Sequence, residues 1–448
     1  MVRRLAGAGF AALLLSTTLP LSAATPPSGM SSLERDELTY SYRQLINQFY
    51  KRVDAQHVLD GARASMVVLL QHDGVKNPAV SGAHASGDLS VNERELTRSV
   101  NAAIAKYSTK VPARLVTYAA ISGMLDAVGD RYTQFLTPKQ YADLNEGLDG
   151  ASFGGVGLSI GVDEASKLLK VQSVIEGGPA DKLGLQADDT IVSINGRSTR
   201  GLSLDDDSKM LRGTPGTTVR LVIVREGKTL PAVSVTRAEI KAPSVTSKLL
   251  SGQIGYVRLA VFGATTADEL GVALKRLESQ GAKGYVLDLR DNGGGYLNAA
   301  IDVSSKFVAT GPIVSVAERA GSSREYDADD VAIAPKPLAV LVNKYTASAS
   351  EITSGAIQDN GVGTLIGTRT FGKGVVQTIF PLPDGAAVKI TTARYLTPSG
   401  RDINSVGITP DVTVQENKNP RYGELTKDVQ LDTAVGILNQ KIAQNAGG

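Results

Sequence analysis

The chain has 448 residues, 42% of them hydrophobic and 21% charged, and 47 basic against 45 acidic side chains leave a formal net charge of +2. That length predicts about two or three domains with real apolar cores, and the balanced charge gives no ground for a nucleic-acid or polybasic membrane partner. Cysteine is absent, which excludes disulfides, thiol nucleophiles and cysteine-held zinc or iron–sulfur sites.

At the N-terminus Arg3 and Arg4 precede an apolar stretch over residues 5–15, and Ser22-Ala23-Ala24 closes it with small side chains. Residues 1–24 therefore read as a secretory signal peptide rather than an uncleaved anchor, with a periplasmic or cell-envelope destination. No later stretch approaches the ~18 apolar residues that a membrane span needs. Residues 25–148 read as a helical region, with Leu45, Ile46, Phe49, Tyr50 and Val53 at helical intervals and a Gly-, Ser- and Asn-rich loop at about 71–92. Residues 149–235 change character, to short alternating strands, a Gly-Pro-Ala helix start and a hairpin ending in Asn195-Gly196. From 236 to 415 strands at 254–262, 284–289, 313–317 and 338–342 alternate with helices at 266–280, 297–309 and one opening beside Ser348. Such alternation predicts a largely buried sheet covered by helices. The last segment, 416–448, carries a helix from about 427 to 443. The predicted fold class is mixed α/β (α+β) and multidomain.

The histidines, His57, His72 and His84, all fall in the helical region, so a Ser-His-Asp mechanism has no evident base. Lysine can serve instead if its pKa falls from about 10.4, at roughly 1.36 kcal/mol per unit, through burial away from water and carboxylates. Phe371-Gly-Lys-Gly-Val-Val-Gln377 offers such a setting, with Lys373 between two glycines and no acid within seven residues on either side. On local evidence a solvent-facing lysine at a hairpin turn fits equally well. The stretch TASASE, 346–351, follows the apolar run Pro337–Asn343 and places small hydroxyl residues at a strand-to-helix junction.

TASASE, then TFGKGVVQ at 370–377, with Leu289-Arg-Asp-Asn-Gly-Gly-Gly295 upstream, resembles the carboxyl-terminal processing peptidases, or tail-specific proteases. The resemblance extends over about 110–415 and implies a serine endopeptidase with a Ser-Lys dyad, a crotonase-like protease core and an embedded PDZ domain. It implies Ser348 as nucleophile rather than Ser350, Lys373 as general base, and Gln377 as the residue that orients the lysine. Gly294 and Ala349 would supply the oxyanion hole; Gly293 stands where the family pattern has proline. Ser152–Ile160 resembles a PDZ carboxylate-binding loop running into its strand. Gly154, Gly155, Val156, Gly157, Leu158 and Ile160 would there hold an apolar C-terminal tail, and Arg212 would relay PDZ position to the protease. Protein substrates with free apolar C-termini, a homodimer, an adaptor or activator protein and no metal or organic cofactor complete the expectation. The competing readings are a catalytically inactive peptide-binding scaffold of the same fold and a crotonase-like acyl-transfer enzyme.

Overall fold

In the computed structural model, which describes residues 29–148, 152–163, 166–175, 177–186, 188–241, 243–319, 321–417 and 421–446, the chain divides into two units. One lies within Met1–Arg43 and Asp54–Val128, the other within Gln44–Val53 and Gly129–Gly448. The segment read as a signal peptide falls outside the described residues.

The expected helical region opens with two helices, Ser32–Gln48 and Ala55–His72, with a break between them. The break follows from Asp54, whose carboxylate accepts the Gln56 N–H at 2.9 Å and starts a new helix. Val58, Leu59, Ala62, Met66 and Leu70 then form its buried stripe. This helix crosses Ala113–Asp126 at Gly61 and Gly123, where a Cβ on Gly61 would come within 2.4 Å of the Gly123 carbonyl oxygen. The loop expected at 71–92 is shorter, because Asp88 caps a helix over Leu89–Tyr107. It is also pinned. Ser99 Oγ donates to Ser81 O at 2.6 Å, Arg63 Nε to Val80 O at 2.9 Å, and Val75, Val80 and Ala83 are buried.

The second unit holds three sheets of functional interest. The β-rich module has the strand order Leu158–Val162, Leu169–Val174, Thr190–Ile194, Thr218–Arg225, Lys228–Thr229, all antiparallel. Leu169, Val171, Ile191, Ile194, Leu211, Val219, Leu221 and Ile223 form its core. Where the chain enters and leaves the module, Ser152–Gly155 and Ala238–Lys241 pair side by side.

The predicted buried sheet has the order Val245–Leu250, Ile254–Leu259, Gly284–Asp288, Leu338–Val342, Thr364–Gly367, Val412–Thr413, parallel after the first pair. Gly284–Asp288 and Leu338–Val342 are buried at every residue, as unbroken apolar runs flanked on both faces should be. Leu287, Val340, Val342 and Leu365 face one layer of helices that includes Ala349–Asp359. Val286, Ala339, Leu341 and Ile366 face Leu431, Ala434 and Leu438 of the last helix, Val429–Ala446. A second, antiparallel sheet was not predicted. In it Ala387–Leu396 pairs with Gln134–Leu136, Pro312–Glu318 and Val375–Pro381, which draws residues past Val128 into this unit.

A buried ion cluster ties the last helix to the end of strand Gly284–Asp288. Arg290, 1% exposed, donates through Nε to Asp288 Oδ1 at 2.9 Å and through both terminal nitrogens to Asp428 at 2.7 Å. Tyr422 covers the guanidinium, its ring centroid 4.0 Å away. Asp428→Ala leaves Arg290 paired with Asp288 but removes its buried charge-assisted hydrogen bonds to Asp428, so it should cost about 1.5–3 kcal/mol of stability. Urea unfolding measures it, and a loss under about 1 kcal/mol would contradict the role given to the cluster.

Candidate active site

Strand Leu338–Val342 ends in a turn that delivers Ser348 to the N-terminus of helix Ala349–Asp359. Ser348 holds φ 57° and ψ −119°, a conformation that a non-glycine residue keeps only when its surroundings impose it. The surroundings do so from three sides. Its N–H donates to Glu351 Oε2 at 3.0 Å, its carbonyl accepts the Tyr395 hydroxyl at 3.1 Å, and the preceding Ala347 N–H donates to Asn292 O at 3.0 Å. Ser348 keeps partial exposure. Ser350, fully buried, spends its hydroxyl on Asn292 O at 2.9 Å and is a structural residue.

Glu351 also reaches the lysine loop. Oε2, which holds the Ser348 N–H, accepts the Lys373 N–H at 2.8 Å, while Oε1 accepts Gly372 N–H at 2.8 Å and Thr370 Oγ1 at 2.5 Å. One buried carboxylate thus fastens the serine turn to the lysine loop. Burial pushes its pKa up, against the four hydrogen bonds that favour its charge. Sequence spacing alone kept acids away from Lys373; the fold brings two to it, Glu351 and Asp130. Asp130 is likewise engaged elsewhere, by Thr133 Oγ1 at 2.8 Å and by Thr391 Oγ1. Neither pairs with the amine.

The Lys373 amine lies 5.0 Å from the centroid of the Tyr132 ring and makes no hydrogen bond among the described residues. Burial, then the nearby charge of Lys389, lowers its pKa from 10.5 to about 8, against the opposing pull of Glu351 and Asp130. Lys373 is half-buried beside Tyr132 rather than extended into solvent. Gln377, expected to orient the amine, points its Nε2 instead at Val375 O (3.3 Å) and Thr391 Oγ1 (3.5 Å).

The glycine loop arrives from the other side. Gly294, at φ +100°, packs so closely that a Cβ there would lie 2.7 Å from Ser348 Cβ and 2.8 Å from the Ala349 nitrogen. Gly294 and Ala349 are thus neighbours. The Gly294 N–H, however, donates to Asn292 Oδ1 at 2.9 Å in this state. Gly293 lies outside the left-handed region, so the proline of the family pattern is not missed conformationally.

In the β-rich module, Gly154 and Gly155 lie on the strand paired with Ala238–Lys241, and the Gly154 carbonyl accepts the Gly213 N–H at 2.9 Å. The turn itself falls at Val156 and Gly157, the latter at φ +78°, so any anion nest narrows to these and Leu158. Leu158 and Ile160 pack half-buried on the module core, on a strand that ends its sheet with helix Leu204–Leu211 alongside. Arg212 stands exposed at the C-terminus of that helix.

Sequence reading missed Glu351, Asn292, Asp130, Tyr132, Tyr395 and Lys389. Only Glu351 left a signal, the Ser-x-x-Glu spacing of a helix capping box.

The profile of peptidase family S41 matches residues 253–414, and that of a PDZ domain residues 170–225. A carboxyl-terminal-processing protease of Synechocystis sp. is 40% identical over 334 residues, 73% of this chain and 78% of that one. The carboxy-terminal processing protease CtpA of Bacillus subtilis is 36% identical over 326 residues, 72% and 69% of the two chains. A solved photosystem II D1 C-terminal processing protease aligns over 92% of this chain and 98% of its own, with 32% identity and a TM-score of 0.49. Identity at this level over 73% of the length, with both profiles in this order, establishes that the chain belongs to the carboxyl-terminal processing proteases, serine peptidases of family S41 that carry a PDZ domain.

Proposed function

We propose that the chain cleaves exported polypeptides near their C-termini through an acyl-enzyme on Ser348. The observation that carries this reading is the single carboxylate oxygen of Glu351 that holds both the Ser348 and the Lys373 backbone N–H, beside a lysine amine whose pKa is near 8. Neutral Lys373 takes the proton as Ser348 Oγ bonds to the scissile carbonyl carbon, and returns it to the leaving amine as the C–N bond breaks. Water then hydrolyses the ester by the same proton relay. Gln377 orients the amine in the substrate-bound state by leaving its contacts with Val375 and Thr391. A strained nucleophile of this kind has no use in an inactive scaffold.

Ala349 N–H, at a helix start, and Gly294 N–H are assigned to the developing oxyanion. Gly294 gives up Asn292 Oδ1 for it, a tightening expected between resting and engaged geometry. The turn at Val156–Gly157 would receive the substrate carboxylate, and strand Leu158–Val162 would pair with the tail behind it. Arg212 is assigned the relay between module and protease. The leader-like segment supports an extracytoplasmic site of action, and a homodimer joined through the N-terminal helices is the assembly this reading carries, testable by light scattering.

Both Ser348→Ala and Lys373→Ala should reduce cleavage of an unfolded tail to background while far-UV circular dichroism stays unchanged. Because only the unprotonated amine accepts the proton, kcat/KM should rise with pH through about 8. A profile flat from about pH 6 to 10 would remove Lys373 as the base. Gly294→Ala places a methyl against Ser348 and should lower kcat by about 10²–10³-fold. Amidating the substrate C-terminus should raise KM and leave kcat nearly unchanged; equal KM values would sink the tail-reading role of the module.

A further inference from the structure

Helix Leu204–Leu211 lies along the end strand of the PDZ module and packs on both Leu158–Val162 and Thr190–Ile194. Its inner face carries Leu211, a member of the module core, and Asp207 one turn earlier. Asp207 is 0% exposed, yet neither of its carboxylate oxygens has a hydrogen-bond partner among the described residues. Asp189, buried in the same module, shows what such a group ordinarily needs: Arg225 donates to it at 2.6 and 2.8 Å, and the Gln186 N–H at 2.9 Å. Burying an unpaired polar group is costly and burying it charged far more so, which makes an orphan of this kind a feature to be explained.

The two ends of the helix are held unequally. At the C-terminal end Arg237 donates through Nε to Leu211 O at 3.0 Å and through Nη2 to Met210 O at 2.8 Å, and the Gly213 N–H donates to Gly154 O at 2.9 Å. At the N-terminal end the Ser203 hydroxyl accepts the Asp206 N–H at 3.2 Å, a cap that can travel with the helix.

We propose that this helix is a flap latched by a proton: it packs while the Asp207 carboxyl is neutral, and pivots outward about its Arg237-held end as that carboxyl reaches water and ionises. Burial pushes the Asp207 pKa up, Asp206 adds to the rise, and Arg197 opposes it. The two strands against the helix read Leu-Ser-Ile-Gly-Val and Thr-Ile-Val-Ser-Ile and carry no acid or base; Arg197 follows the second, and Arg237 stands at the pivot. Residues 149–235 contain no histidine, so no other side chain of the module has an ordinary pKa between about 5 and 8. A carboxyl whose pKa is higher packed than open stabilises the packed helix fully below the ordinary carboxyl range, and that stabilisation is lost as pH rises through the packed-state value. Opening removes one wall of the groove beside strand Leu158–Val162, so a tail is held less tightly at neutral than at acid pH. That consequence rests on the module being the tail reader.

The test is amide hydrogen exchange over 204–211 in the whole protein, read by mass spectrometry, with Asp207→Asn and Asp207→Ala alongside. All three carry Ser348→Ala, so that a peptide with a free apolar C-terminus stays intact in a parallel binding titration. After correction for intrinsic exchange, protection in the Asp207 parent should fall about tenfold or more from about pH 4.5 to about pH 8. Asp207→Asn should stay level, matching the parent at the acid end and exceeding it at the alkaline end, and peptide affinity should follow the same two curves. Asp207→Ala serves the same comparison should the asparagine variant misfold. Protection that is level in the parent, or that falls equally in parent and variants, overturns the inference. A parent that binds no tail at any pH would remove the tail-reading role of the module, while the exchange curves would still decide the latch by themselves.

Discussion

The proposed mechanism depends on keeping an amine uncharged at the same place where a carboxylate holds the backbone together. Glu351 hydrogen-bonds both the Ser348 turn and the Lys373 loop, and its charge favours the protonated form of Lys373. The conflict is resolved by geometry. Four donors converge on its two oxygens, so its lone pairs are directed at backbone and threonine hydrogens and none at the ammonium. Burial and the nearby cations then outweigh what remains of its field, and the amine settles near 8. A carboxylate placed to accept the ammonium directly would reverse that outcome, since a close opposite charge raises a lysine pKa.

The strain at Ser348 follows the same logic. Its left-handed backbone would relax if the helix start were free to rotate, and it is not free. Helix Ala349–Asp359 is buried over almost its whole length, and Tyr395 and Asn292 grip the turn from two different elements. The glycine loop is fixed from below by Arg290, whose carboxylate partners include Asp428 at the start of the last helix. A helix far from the site in sequence therefore stabilises the strand end from which the glycine loop departs.

What could be read from the chain was what is local. The apolar runs that became strands Gly284–Asp288 and Leu338–Val342, and the glycine-flanked setting of Lys373, need no knowledge of distant partners. The resemblance then supplied order and roles that spacing could not. The antiparallel sheet around Ala387–Leu396 was illegible because its pairings with Gln134–Leu136 and Pro312–Glu318 join residues far apart along the chain, and nothing in either stretch encodes the register. For that reason Tyr395, Thr391 and Lys389 passed as ordinary strand residues. Asp130 and Glu351 were invisible as neighbours of Lys373 for the same cause: proximity in sequence was used where only the fold decides. Likewise the carboxylate loop looked longer than it is, because Gly154 and Gly155 are claimed by a strand from beyond the module.

One segment joins the module's point of entry to the oxyanion loop. Helix Pro138–Leu148 ends just before the module, and the Leu148 carbonyl accepts the Ala264 N–H at 3.2 Å. Two residues earlier, the Phe262 N–H donates to Gly294 O at 3.0 Å. The turn Phe262–Ala264 thus touches both the entry to the PDZ module and Gly294, the glycine proposed to face the oxyanion. Contact by itself transmits nothing; a two-state element is required. Gly294 has the makings of one, for its N–H has a resting acceptor in Asn292 Oδ1 and would have a stronger, charged one in the transition state. Exchange between the two needs a peptide that can turn, and Gly293, with no side chain and open space around its Cα, leaves the residue before that amide unlocked.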